Sequence, residues 1–184
     1  MIQPGKNEIV MKTAFRRTTN LEAIYLVGDF GVRIDGHTAS LTTLPTQIGS
    51  GELKDANLPF YTGCISYLIP ASAFPTVEPG QRVVLRVKDF RGSLAKVGAA
   101  GENAQRILAW NPYEADITDY VQAGRGVEVT LVPSRRNMFG PLHMLPEIID
   151  ALGPQHFVTV GDMWDDDYRF VESRLGDVEI AVIG

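Results

Sequence analysis

The chain has 184 residues, 45% of them hydrophobic and 21% charged, a size and composition that allow one substantial core and fit a globular domain rather than a disordered or fibrous chain. Its net charge is −5, and residues 161–184 alone hold seven acids against two bases, while the rest of the chain carries fifteen of each sign. No concentrated basic surface stands out and no run nears the roughly 20 apolar residues that span a bilayer, so neither nucleic acid nor a membrane is expected as a partner.

The opening residues, "MIQPGKNEIVMK", lack the apolar stretch of a secretory leader. The compartment stays open, because a single cysteine, Cys64, excludes an internal disulfide without defining a redox environment. Cys64 lies in the alternating run "YTGCISYLIP" and reads as a small buried hydrophobe, with no adjacent base or helix start to lower its pKa.

Short runs of period-two alternation, punctuated by Gly and Pro, dominate the chain. "NEIVMKTAF" comes first, then "LEAIYLVGDFGVRI" and "TASLTT", the last two separated by an Asp-Gly turn in "IDGH". "FYTGCISYLIP", "QRVVLRVKDF", "LAKVGAA", "EADIT", "VEVTLV", "HFVTV", "YRFVES" and "VEIAVI" follow. In "QRVVLRVKDF", Val83, Leu85 and Val87 fall on one face and Val84, Arg86 and Lys88 on the other, the pattern of a strand with one buried side. The one helical pattern is "LPEIIDALG", which predicts a short helix near 145–152 with Pro146 at its start and Gly153 as a stop.

About ten short strands and a single short helix predict an all-β fold, an antiparallel β-sandwich with one face of each sheet packed and one solvated. The expected organisation is residues 1–57 as N-terminal strands, either closing a preceding sandwich or joining the same sheet pair, and 58–184 as the sandwich core with C-terminal strands. An internal echo bears on the first part. "IQPGKNEIVMKTAFRRTTN" and "VQAGRGVEVTLVPSRRN" share Gln-x-Gly, a basic residue, an alternating strand and an Arg-Arg pair. Either turn-then-strand sequences coincide by composition, or each is the closing strand of a similar sandwich, in which case the chain is part of a longer one.

From Phe60 the order of elements becomes more specific. "LPFYTGCISYLIPASAF" leads through two aromatics and a Gly into a strand; strand, turn and strand follow, then "WNPYEADIT" and the Gly-led strand "GRGVEVTLV". This order resembles the sugar-binding, galactose-binding-like jelly-roll domains that accompany the catalytic domain in glycoside hydrolase family 2 and related large glycosidases. The resemblance spans roughly residues 58–133, and the tail "RRNMFGPLH" is similar to stretches in large bacterial glycosidases. It implies a jelly-roll sandwich that binds carbohydrate or braces a catalytic domain of its parent chain.

The candidate binding residues follow from chemistry. "SRRNMFGPLH" places Arg135, Arg136, Asn137 and His143 on one loop after a strand, where a rigid scaffold usually carries its binding groups. Arginine offers a planar fork of donors, Asn a donor and an acceptor, and His either, a set suited to hydroxyls and carboxylates. Trp110 and Tyr113 in "LAWNPYEAD" would supply an aromatic platform for a sugar ring, with Trp164 behind them. The same residues read structurally as a core aromatic, a loop-shaping Asn and arginines paired to carboxylates.

Asp162, Asp165, Asp166 and Asp167 are hard oxygen donors and weak candidates for a structural calcium; a solvated turn is the plainer reading, and no other cofactor is indicated. A homodimer would offer another role, with the acidic cluster and the arginine loop meeting across its interface. Three functional readings stand open: a non-catalytic carbohydrate-binding or bracing module, an interaction sandwich with no ligand, and a small hydrolase using a carboxylate pair. "GDFG" around Asp29 lacks every accompanying kinase motif, and no catalytic residue is assigned.

Overall fold

The structure is a computed structural model that describes residues 5–19, 24–103, 105–147 and 151–184. Strands β1 (Gly31–Asp35) and β2 (Thr38–Thr42) form a hairpin; the others are β3 (Ile65–Ile69), β4 (Arg82–Lys88), β5 (Leu94–Ala99), β6 (Gln105–Leu108), β7 (Glu114–Asp116), β8 (Val127–Val132) and β9 (Asp177–Ile183). Short helices α1 (Thr118–Gln122) and α2 (Arg136–Phe139) lie on either side of β8 in the chain. β3-β8-β5-β6 make a four-stranded sheet and β7-β4-β9 a three-stranded one, and the pairings within them are antiparallel. The fold is an antiparallel, sandwich-like all-β architecture, as the alternation predicts.

Alternation positions the core. Val83, Leu85 and Val87 of β4 meet Val127, Val129 and Leu131 of β8, Ala95 and Val97 of β5, and Leu108, Ala115 and Ile117 in one buried cluster. The outer face of the three-stranded sheet is charged, with Arg86 bonded to Glu114 at 2.7 Å and Lys88 to Glu179 at 2.5 Å. Leu53, from the connection between β2 and β3, is buried in the same cluster, with Ile48 and Leu58 packed against it. The Asp-Gly turn between β1 and β2 forms as expected, with Gly36 at φ +57°, a conformation glycine adopts without the steric cost of a Cβ.

Five local expectations are corrected. "NEIVMKTAF" is described and forms no ladder, and "HFVTV" and "YRFVES" are irregular. In place of a helix near 145–152, residues 145–147 and 151–152 are non-helical, and 148–150 lie outside the described residues. At the start of that stretch the Leu145 N–H donates to the Met163 carbonyl at 2.9 Å, which ties it to the segment 163–165. Cys64 is exposed rather than buried. It shares the parity of Ser66 and Leu68, which face outward, while Ile65, Tyr67 and Ile69 pair with the core residues Leu131, Val129 and Val127.

Candidate functional site

The registers place several loops at one end of the sandwich. Leu94 opposes Val132, Ala95 opposes Leu108 and Ile65 opposes Leu131, so β3 and β5 begin where β6 and β8 finish. The loops entering β3, joining β4 to β5, following β6 and following β8 therefore share that end. Both stretches singled out in the sequence, around Trp110 and around Arg135–His143, leave from it.

Trp110 is 76% exposed beyond β6. Tyr113 turns inward instead, its ring 5.1 Å from that of Phe90 and packed against the core. One of the two proposed platform aromatics is thus accessible, and the other helps close the core.

The arginine loop divides as sharply. Arg135 is exposed. Arg136 is partly buried, its guanidinium donating to the carbonyls of Pro141 and, at 3.4 Å, Glu147; this burial pushes its pKa down. Asn137 is only 7% exposed: its amide donates to the Val171 carbonyl at 2.8 Å and its oxygen accepts the Val171 N–H at 3.0 Å. That two-point clip mimics a backbone pairing and fastens the loop to residue 171. Asn137 is consumed by structure.

His143 sits in an aromatic stack. Its ring lies 4.6 Å from Trp164 with 26° between planes, and 4.6 Å from Tyr168. Tyr168 stacks on Phe170, and both meet Phe60. His143 Nδ1 is 3.0 Å from the Asp165 carbonyl, which fixes Nδ1 as the protonated donor. Chain hydrogen bonds draw the same two stretches together, Asp165 N–H to the His143 carbonyl at 2.8 Å and Arg169 N–H to the Leu142 carbonyl at 2.7 Å.

The acidic run is spread over separate partners. Asp165 accepts the Asp167 N–H and the Arg169 guanidinium, which together hold its pKa below the usual carboxylate range. Asp166 accepts the Trp164 indole N–H at 2.8 Å, and Asp167 lies 3.7 Å from His37. Asp162 is exposed. Among the described residues no group of three or more His, Cys, Asp or Glu side chains converges as a metal site.

A second ionic centre, for which the sequence carries no local signal, pins residues 172–174 to the sandwich. Arg174 reaches Glu172 at 3.1 Å, Asp89 at 2.8 Å and Glu52, and Arg91 bonds Glu172 at 3.0 Å. Donating to Glu172, Glu52 and Asp89 raises the Arg174 pKa, and accepting from Arg174 and Arg91 lowers that of Glu172. The shifted carboxylates, Asp116, Asp165, Glu172 and Glu179, all move downward, opposite to the direction of a general acid.

An apolar groove of about 650 Å³ opens beside these elements. Tyr25, Phe30, Phe60, Tyr61, Met138 and Tyr168 line it, so it joins the aromatic stack to the arginine loop. Tyr25 also meets Phe139 edge to face at 6.1 Å. The sequence signal for the groove is the Phe60-Tyr61 pair at the mouth of β3, readable on its own only as the lead into a strand. A smaller pocket of about 160 Å³ lies beside Glu52, Asn137 and Ser173, and the Ser173 hydroxyl there is buried without a hydrogen-bond partner among the described residues.

No protein-family model matches the chain, and no curated protein is significantly similar to it. No described helix is long and apolar enough to cross a membrane.

Proposed function

We propose that this chain is a non-catalytic β-sandwich module that braces a neighbouring folded unit through its apolar groove. One observation carries the reading. An aromatic-lined groove of about 650 Å³ opens beside the arginine loop, flanked by the exposed side chains of Tyr25, Val27 and Leu41. A concavity of this volume, lined mainly by apolar and aromatic side chains, has the form that binding sites usually take. The residues expected to hold a polar ligand, Asn137 and His143, instead fasten their own loops together. The resemblance to accessory domains of large glycosidases supports a catalytic domain as the neighbour.

Trp110 favours carbohydrate binding as a second reading, since an indole exposed at a loop-bearing end is the stacking platform a sugar ring requires. Titration with a panel of plant and bacterial polysaccharides, followed by tryptophan fluorescence, separates the two. The bracing reading expects no saturable response from the folded protein. A saturable response that disappears in Trp110→Ala would establish the carbohydrate reading in its place.

A further inference from the structure

Two parts of this chain are unpaired in complementary ways. Among the described residues β9 is an edge strand, bonded to β4 on one side only. Its core-facing residues are Val178, Ile180 and Val182, opposite Val87, Leu85 and Val83. They are incompletely covered, Val182 being 40% exposed, because a three-stranded sheet faces a four-stranded one. A long apolar edge such as "VEIAVI" is a template for another strand.

The second part is the segment 8–15, "EIVMKTAF". It is exposed throughout and forms no ladder. Its parity puts Ile9, Met11, Thr13 and Phe15 on one face, the three apolar ones each between 62 and 75% exposed, with Glu8, Val10, Lys12 and Ala14 on the other. Charge matches as well: residues 5–19 carry four bases against one acid, whereas residues 161–184 carry seven acids against two bases.

We propose that residues 8–15 of one copy add as a fourth strand to the free edge of β9 in a second copy. The pairing is antiparallel, with Ile9 opposite Val182, Met11 opposite Ile180 and Thr13 opposite Val178 on the core face. The same register puts Lys12 opposite Glu179 on the outer face, and Ala14 opposite Asp177 with Arg16 on its diagonal. Main-chain hydrogen bonds supply affinity, and the apolar core face together with the Lys12–Glu179 pair supplies register, as in strand addition generally. Because the arm and β9 are separate from the groove, this association stands or falls independently of the bracing reading.

The test is sedimentation of the whole chain together with a disulfide trap. Wild type sediments at twice the mass of the chain, and Met11→Pro, which removes a ladder donor from an arm that makes no contribution to the core, sediments as a monomer with the circular-dichroism spectrum of the folded chain. In a Cys64→Ser background, Lys12→Cys combined with Glu179→Cys gives a disulfide-linked dimer on mild oxidation, and either single cysteine gives less than about a tenth as much. A monomeric wild type, or a dimer that Met11→Pro leaves intact and the cysteine pair fails to trap, overturns the proposal.

Discussion

The two sheets and the segment 141–176 rest on the same core but are held by different means. The sheets follow from alternation: Val83, Leu85, Val129 and Leu131 are wholly buried, and each has its place because its neighbours in sequence face the other way. The described residues of 141–176 carry almost no regular structure. They are fixed by scattered contacts: the Asn137 clip on Val171, the His143–Trp164–Tyr168 stack, the Arg169–Asp165 pair, the Arg174 centre, and isolated backbone bonds such as those between Arg91 and Arg174. A sheet tolerates the loss of one polar contact, whereas a segment held by few and separate contacts depends more on each.

That contrast can be pressed by substitution. Leu85→Ala, at the centre of β4, should destabilise the whole molecule by about 2–5 kcal/mol, the range for a buried leucine that leaves a cavity, read as a lower urea midpoint. Asn137→Ala strands the N–H and carbonyl of half-buried Val171, where water can replace part of the lost bonding, so the cost should fall toward the low end of the about 1–3 kcal/mol for a buried unsatisfied group. Its distinguishing readout is local. Amides of residues 163–175 should exchange faster under native conditions while those of β4 and β8 stay protected; uniform acceleration would mean that the segment is integral to the core.

Arg174→Met should lower the midpoint less than Leu85→Ala. The difference from wild type should shrink in high salt, because the guanidinium acts on Glu172, Asp89 and Glu52 through charge near solvent. Acid provides a related probe. The depressed pKa values of Asp165 and Glu172 mean that their contributions are present above the ordinary values of 3.8 and 4.5 and are lost as pH falls through the lower folded values. The midpoint should therefore fall below about pH 4.5, and the Arg174→Met variant should show a shallower decline. Smallest of all, Trp110→Ala should change stability by no more than about 0.5 kcal/mol, as expected for an exposed side chain.

The same contrast explains what is legible in the sequence. β4, β5, β8 and β9 can be read because alternation records burial directly in residue type. The Asp35-Gly36 turn can be read because its backbone geometry favours glycine. "YRFVES" has the residue types of a strand but not the role: Tyr168 and Phe170 stack on each other and on Phe60, and its backbone bonds go singly to Gly36, Leu142 and Leu53 rather than to one neighbouring strand. The exposure of Cys64 is not legible, because the parity of residues entering a strand depends on register, which only pairing with β8 defines. At the candidate site, chemistry identifies polar residues in a loop, but whether Asn137 faces a ligand or Val171 depends on a partner 34 residues away. Residue type says what a side chain can do, and packing decides whether it is free to do it.

The most direct test of the bracing account is titration of the folded chain with a fluorescent apolar dye. The account predicts dye binding under native conditions, and its loss in the Val27→Lys/Leu41→Lys double variant, whose altered residues line the groove but are exposed, with no change in the unfolding midpoint. A native chain that binds no dye, or a double variant that binds it as well as wild type, would contradict the groove as a docking face.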